Sequence, residues 1–227
     1  MALTVVKTSA LSGTLPVANG GIGITSGTTD QFLKFTGTTT LASATDNAGD
    51  LVLLASVNAS SSSTVDFTGH FTSDYYTYIL YFNNVKPSND DDHLGIRIRQ
   101  SGGGSFDSGA NDYGNGRYGR RSDGDGASAD LATGDMQYNR IPLNNGAIEK
   151  GGDWNVNGYV KILTPLQATY KVFEFSITYG YTDTNNISSL NGGGVRYCNP
   201  AMDGIQFLTE TGTIDEGNFR LYGVKNA

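Results

Sequence analysis

One glycine-rich phrase has a spacing from which a cofactor site is often built. Gly114-Asn-Gly-Arg-Tyr-Gly119 spells G-x-G-x-x-G, the pattern of a dinucleotide-binding turn. That turn needs a strand before it and a helix after it, so that the pyrophosphate meets a helix N-terminus. Neither pattern flanks this phrase, since Ser105–Asp112 precedes it and a Gly/Asp/Ser-rich stretch follows. We therefore predict an ordinary loop here and assign no cofactor.

Two acidic clusters could offer oxygen ligands to a hard cation such as calcium. They are Asp90-Asp91-Asp92-His93 and Asp123-Gly-Asp125. The spacing of an EF-hand is not met, because no glutamate follows at the twelfth position. Charge runs are usually solvated faces, so we expect hydrated turns and assign no metal. A cation trapped by these loops remains the alternative.

Nucleophilic catalysis has little support in the pattern of residues. A nucleophile needs a base within hydrogen-bond reach and a third group to orient that base. His70 and His93 are the two histidines, and no nucleophile elbow is present, although the sequence leaves a triad open. Cys198 is expected to be a half-buried small hydrophobe rather than a catalytic thiolate. Enzymes that cleave polysaccharides with paired carboxylates are the remaining enzymatic alternative, but no internal repeat is found. We predict that the protein is not an enzyme.

Binding has the better case, because several aromatic residues lie in or beside polar, glycine-rich stretches. Aromatic side chains flanked by Asp, Asn and Arg are typical of surfaces that meet a carbohydrate or a protein epitope. The predicted receptor-binding aromatics are Tyr113, Tyr118, Tyr138, Trp154 and Tyr159. The alternative is that these rings pack a sandwich core or an interchain interface.

The chain has two regions of different composition, residues 1–50 and residues 51–227. Residues 1–50 are rich in Thr, Ser and Gly and contain short extended pieces at Leu3–Val6, Leu15–Val17 and Gln31–Phe35. Such a segment buries too little apolar surface to offset the entropy of ordering it, so other chains are expected to complete its core. We predict an assembly segment whose interchain core is made by Phe32, Leu33 and Phe35.

Residues 51–227 have the pattern of successive β-strands. In Leu94–Arg99, Leu94, Ile96 and Ile98 alternate with Arg97 and Arg99, which predicts a half-buried strand. About nine such strands without a helical segment favour an all-β fold, an antiparallel β-sandwich of jelly-roll type. The stretch Ser101–Asp135 is rich in Gly, Asp and Ser and is predicted to form long loops.

Charge and hydropathy exclude other classes. The formal net charge is −7, which opposes binding to a phosphate backbone, so no nucleic-acid partner is expected. No apolar run approaches the roughly 20 residues of a membrane span, and no secretory signal is visible. One cysteine cannot form an intrachain disulfide. We expect synthesis in a cytoplasm without membrane insertion.

Several phrases resemble bacteriophage structural proteins. Gly13-Thr-Leu-Pro-Val-Ala-Asn-Gly-Gly-Ile-Gly-Ile-Thr-Ser26 and the following Asp30–Thr39 resemble the collar that precedes a binding domain in phage tail fibres. Ala59–Thr68, Tyr75–Ser88 and the closing Gly217-Asn-Phe-Arg-Leu-Tyr-Gly223 are similar to a domain recurrent in such proteins.

The resemblance implies a virion protein, a homotrimer with intertwined N-terminal segments and jelly-roll heads. We expect a tail-fibre or tail-tip subunit that attaches to other virion proteins through residues 1–50. Its head would bind a host surface glycan or protein. A capsid decoration or head fibre is the alternative.

Overall fold

The computed structural model describes residues 32–35, 41–44, 50–122, 128–150, 154–181 and 186–225. The chain divides into two compact units, Met1–Gly49 and Asp50–Ala227. In the first unit, β1 (Phe32–Phe35) pairs antiparallel with β2 (Leu41–Ala44). The predicted extended pieces at Leu3–Val6 and Leu15–Val17, and the collar-like phrase, lie outside the described residues.

The second unit consists of strands, and the described residues contain no helix. The strands are β3 (Leu51–Ser62), β4 (Thr64–Thr68), β5 (Tyr75–Pro87), β6 (Leu94–Gln100), β7 (Tyr113–Ser122), β8 (Ser128–Tyr138), β9 (Ile141–Pro142), β10 (Val156–Ile162), β11 (Lys171–Tyr181), β12 (Asn186–Arg196), β13 (Met202–Thr209) and β14 (Ile214–Lys225). The all-β prediction is therefore confirmed.

The strands form two antiparallel sheets, an arrangement consistent with a β-sandwich. The larger has eight strands in the order β3-β14-β5-β10-β11-β12-β7-β8, and the smaller has four in the order β4-β13-β6-β9. Rings from both sheets meet in one core, where Phe207 of β13 lies 5.0 Å from Phe82 of β5 and 4.9 Å from Phe219 of β14 between ring centroids. The sheets thus bury their apolar sides against each other.

Alternation along the strands decides which side chains enter this core. Leu94, Ile96 and Ile98 of β6 are fully buried, whereas Arg97 and Arg99, which alternate with the two isoleucines, are half-buried. The two-residue period predicted for this strand is confirmed, because successive side chains of a pleated strand point to opposite faces. We call the side of the larger sheet that points away from the smaller one its outer face.

The prediction of long loops over Ser101–Asp135 is wrong for most of that stretch. β7 and β8 pair antiparallel as the last two strands of the larger sheet. The phrase Gly114–Gly119 accordingly lies in a strand, not in a loop. β12, with Gly192-Gly-Gly194, was also missed. Glycine carries no side chain for an alternating pattern, so these strands are defined by backbone pairing with their neighbours.

In the described ranges, no helix has the length and apolar character needed to cross a membrane.

Candidate functional site

The outer face carries a row of side chains that run directly across neighbouring strands. Strand register places Tyr159 of β10 opposite Ser176 of β11, Ser176 opposite Asn191 of β12, and Asn191 opposite Tyr118 of β7. Three inter-strand steps separate the two tyrosines, or about 14 Å at the usual strand spacing. The row therefore sets two aromatic rings on either side of a hydroxyl and an amide.

Beside this row, a cleft of about 310 Å³ opens on the outer face. Its floor is backbone, because Gly116 of β7 lies directly opposite Gly193 of β12. A Cβ atom added at Gly116 would meet nothing within 4 Å, so the missing side chain at that position leaves open space. Two glycines facing each other on one sheet face produce a depression that any other pair would fill.

The walls of this glycine cleft are apolar and aromatic. Val172 of β11, which is 40% exposed, is paired with Val195 of β12. The ring of Tyr197 lies over Gly114, where a Cβ would collide with its hydroxyl. Tyr170 supports that ring edge-to-face at 5.4 Å between centroids. Aromatic pairs of this geometry hold a ring in a defined orientation.

The polar groups near the floor include one ion pair. Lys161 and Glu174 are 3.5 Å apart and continue the row of the floor, because Glu174 lies opposite Gly193. The Thr178 hydroxyl donates to the Ser189 hydroxyl at 3.4 Å on the neighbouring row. A largely apolar cleft with a few hydrogen-bonding groups at its rim is the usual composition of a small-ligand site.

The structure does not bring the five predicted receptor-binding aromatics together. Tyr118 is 62% exposed and lies two residues along β7 from Gly116, and Tyr159 lies on the same row as Tyr118 with its ring 5.9 Å from Tyr81. Tyr138 packs against the core at the end of β8. Trp154 is half-buried, with its indole where a Cβ on Gly180 would lie.

Tyr113 is corrected, because it does not belong to an exposed set. Its ring is fully buried in β7, and its hydroxyl accepts a hydrogen bond from the Ile98 N–H at 2.9 Å and donates one to the Asp107 carbonyl at 3.0 Å. Burial raises the pKa of this phenol well above its usual range. A ring in this position holds the core together and cannot meet a receptor.

The predicted interchain residues lie on the β1–β2 hairpin of the first unit. Leu33 and Phe35 are 48% and 64% exposed and point to the same side of β1, while the side chain of Phe32 lies outside the described residues. A two-stranded ribbon of four-residue strands is marginal by itself. The prediction that other chains cover these residues stays a prediction.

The first acidic cluster is partly a hydrated turn, as expected, but Asp92 is a correction. Asp90 and Asp91 are exposed, whereas Asp92 is only 1% exposed. Asp92 Oδ1 accepts backbone hydrogen bonds from His93, Glu210 and Thr211 at 2.7, 3.0 and 3.1 Å. This carboxylate is held by backbone donors rather than by solvent, so its role is structural.

The other predicted ligands and nucleophiles add no site. The second acidic cluster, Asp123–Asp125, lies outside the described residues. Within the described part of the chain, no three His, Cys, Asp or Glu side chains are grouped so as to hold a metal ion. The His93 ring contacts the Asn144 amide at 3.2 Å. Cys198 is buried, and burial raises the pKa of its thiol, which disfavours the reactive thiolate.

Sequence reasoning missed the glycine cleft altogether. Gly116 was considered only as part of a loop, and Gly193 and Asn191 were not singled out, because their roles depend on which strands become neighbours. The phrase Gly114–Gly119 and the run Gly192-Gly-Gly194 were the available signals, since glycine inside a strand often marks a close approach of another group.

Comparison of the chain with protein-family models, with curated proteins and with solved structures found no match.

Proposed function

We propose that this chain is a virion structural protein of a bacteriophage, a homotrimeric tail-fibre or tail-tip subunit that binds a host surface glycan through the glycine cleft. The observation that carries the proposal is the cleft itself, which has Gly116 and Gly193 as its floor, Tyr197 in its wall and the exposed Tyr118 on the next row of the same sheet face. The phage assignment rests on the resemblance of the sequence to tail-fibre phrases.

Strand order supports a jelly-roll head. Eight strands alternate between the sheets so that the first pairs with the eighth, the second with the seventh, the third with the sixth and the fourth with the fifth. They are β3, β4, β5, β6, β9, β10, β13 and β14, in the orders β3-β14-β5-β10 and β4-β13-β6-β9. This is the nested pairing of a double Greek key.

The cleft lies on strands that are additional to those eight. β7–β8 and β11–β12 are inserted between successive core strands and extend the larger sheet beyond β10. Functional sites are commonly carried by such additions, because the scaffold folds without them. The insertions therefore favour a recognition role over a purely structural one.

The chemistry of the cleft favours a sugar. A pyranose ring has an apolar C–H face, which packs against aromatic rings, and a rim of hydroxyls that need hydrogen-bond partners. Tyr118 and Tyr197 offer the rings, while the Asn191 amide and the Ser176 hydroxyl offer polar groups. The charges of Lys161 and Glu174 beside the floor are paired with each other, so the site suits an uncharged glycan better than a phosphate.

A cleft-filling variant tests this proposal. Gly116→Val places a β-branched side chain in the open floor, where the backbone conformation tolerates any residue. We expect binding to a panel of purified bacterial lipopolysaccharides and capsular polysaccharides to fall at least tenfold, as about 1.4 kcal/mol of lost contact would give. Asn218→Val, at an exposed position on β14 of the same sheet, is the matched control and should bind like the wild type.

Two results would contradict the proposal. One is equal binding by Gly116→Val and the wild type, which would remove the cleft from recognition. The other comes from a cryo-electron-microscopy reconstruction of the particle, where density for this chain over the capsid lattice rather than the tail would make it a decoration protein.

A further inference from the structure

The four sheet edges of the second unit differ in how they are protected. An edge strand presents unpaired backbone donors and acceptors, and proteins usually protect it by shortness, charge or proline. β9 has two residues including Pro142, and β4 has five with Asp66 at its centre. Two of the four edges therefore have a recognised protection against pairing.

β3 has none of these protections. It is 12 residues long, with the sequence LVLLASVNASSS, and contains no charged residue and no proline. It lies at the end of the eight-stranded sheet and is paired on one side with β14. A long, uncharged edge is one that another strand or apolar surface is expected to cover.

The outer face beside this edge is apolar at one end only. Leu51 and Leu53 are 45% and 52% exposed, and they lie opposite Val224 and Tyr222 of β14. Ile79 of β5 continues the second of these rows as the partner of Tyr222. We call these five residues the β3 corner.

Further along the same strands, the face becomes polar. Asn58 of β3 lies opposite Asn218 of β14, which lies opposite Asn83 of β5. The polarity therefore changes along β3, from leucines at its beginning to asparagine and serine toward its end. An exposed apolar patch that is bordered by polar residues on the same strands is typical of a contact surface. We therefore expect the β3 corner to be covered by a partner.

We propose that the β3 corner is the surface through which neighbouring copies of this chain pack their heads together. The inference rests on the homotrimer of the proposed function and names the head surface that joins its chains. Leu51 follows the unit boundary at Gly49 by two residues, so chains held together by their first units carry their β3 corners at high effective concentration.

Other features of the molecule also favour a second copy of the chain as the partner that covers the β3 corner. The first unit exposes Leu33 and Phe35 on a hairpin too small to stand alone, so both units have apolar surface to cover. A closed symmetric assembly buries the same patches on every subunit. Neighbouring copies in one assembly can therefore cover the apolar surface of the first unit and that of the second unit. With a formal net charge of −7 on each copy, association needs an uncharged contact, which the β3 corner supplies.

The test uses the full-length chain and measures its mass in solution. Leu53→Asp puts a charge into the β3 corner at an exposed position, where the single chain tolerates it. Asn58→Asp puts the same charge on the same strand outside the corner. We expect the wild type and Asn58→Asp to be trimeric at micromolar concentration, and Leu53→Asp to require at least tenfold higher concentration to assemble.

A second measurement gives the contact directly. Leu53→Cys, treated with a short bis-maleimide, should yield covalently linked chains, whereas Asn58→Cys should not; the native Cys198 is buried and does not compete. If the wild type is trimeric and Leu53→Asp assembles equally well, the proposal that the β3 corner joins the heads is overturned, whereas the proposed trimer is not. If the wild type is monomeric, or is joined only by a different virion protein, both are overturned.

Discussion

Asp92 and Thr211 are joined by a hydrogen bond of 3.1 Å from the Thr211 N–H to the Asp92 Oδ1, across 119 residues of sequence. The same oxygen accepts from Glu210, so one carboxylate holds the turn between β13 and β14 against the start of β6. A buried carboxylate that accepts several backbone hydrogen bonds is a strong local constraint, because hydrogen bonds to an ionised acceptor are stronger than those between neutral groups.

Replacing this carboxylate should destabilise the head. We expect Asp92→Ala to lower the free energy of unfolding by about 2–4 kcal/mol, because the charge-assisted hydrogen bonds from the His93, Glu210 and Thr211 N–H groups are lost, and of these donors the Glu210 N–H keeps the His93 carbonyl at 2.8 Å. Asp90→Ala, at the exposed neighbour, should cost less than about 1 kcal/mol. Urea titration of both variants checks this, and equal losses would show that the Asp92 contacts contribute nothing special.

Lys171 is a second buried polar group whose loss should be felt. Its side chain is fully buried, and Nζ donates to the carbonyls of Gln167, Thr169 and Asn199. Burial lowers the pKa of this amine, because removing the charged group from water costs free energy. This cost offsets part of the stabilisation that the three carbonyl acceptors provide. We expect Lys171→Met to cost about 1–3 kcal/mol in thermal or urea unfolding.

The control for Lys171 is a lysine on the adjacent strand. Lys161 is exposed and pairs with Glu174 at 3.5 Å, and such surface pairs contribute about 0–1 kcal/mol. Lys161→Met should therefore change stability little. A Lys161→Met variant as unstable as Lys171→Met would mean that the three carbonyls around Lys171 are not what holds it.

Alkaline pH should unfold the head through its buried tyrosines. Burial raises the pKa of Tyr78, Tyr113 and Tyr179 above the ordinary value of 10.0. Above that pH, the unfolded chain loses these protons while the folded chain keeps them, so stability falls as pH rises toward the folded pKa values. Each such group contributes a slope of up to about 1.4 kcal/mol per pH unit.

Tyr113→Phe isolates one of these groups. The variant should be less stable at neutral pH, since two hydrogen bonds are lost, but its stability should fall less steeply above pH 10.0. Unfolding curves measured from neutral to alkaline pH give both quantities. Parallel pH profiles for the two proteins would contradict the assignment of Tyr113.

Two glycines of the larger sheet should respond oppositely to alanine. A Cβ at Gly158 would press on the Ser176 carbonyl and lie 2.9 Å from the Phe82 ring, so Gly158→Ala should cost about 1–3 kcal/mol. A Cβ at Gly116 meets nothing within 4 Å, and Gly116→Ala should leave stability unchanged or raise it by about 0.5–1 kcal/mol. Melting temperatures of the pair check this, and a destabilised Gly116→Ala would mean that the cleft floor is not open.

Tyr118 should matter for binding and not for folding. Its ring is 62% exposed beside the cleft, so Tyr118→Ala should leave the melting temperature unchanged and weaken glycan binding about tenfold. Tyr76→Ala removes a ring that is 60% exposed on β5, away from the cleft, and should bind like the wild type. Equal loss in both variants would indicate nonspecific adhesion by surface tyrosines.

The sequence by itself determined the all-β class and most strands with a clear alternating pattern. The spacing of Leu94, Ile96 and Ile98 predicts a strand with one buried face, and β6 buries these three residues. The prediction was possible because a two-residue period is a local property of the chain. Cys198 was expected to be a half-buried small hydrophobe, and the structure buries it.

Only the tertiary structure decided where the glycine-rich strands lie and what they form. Gly116 and Gly193 are separated by many residues in sequence and become a cleft only because β7 pairs with β12. Asp92 reads as one more charge in an acidic run, yet burial against the Glu210–Thr211 turn makes it structural. Strand pairing and burial depend on residues that are far apart in sequence. A glycine such as Gly116, which has no side chain, therefore gives no local sign of its strand partner. Asp92, one of three consecutive aspartates, likewise gives no local sign that it is the buried one.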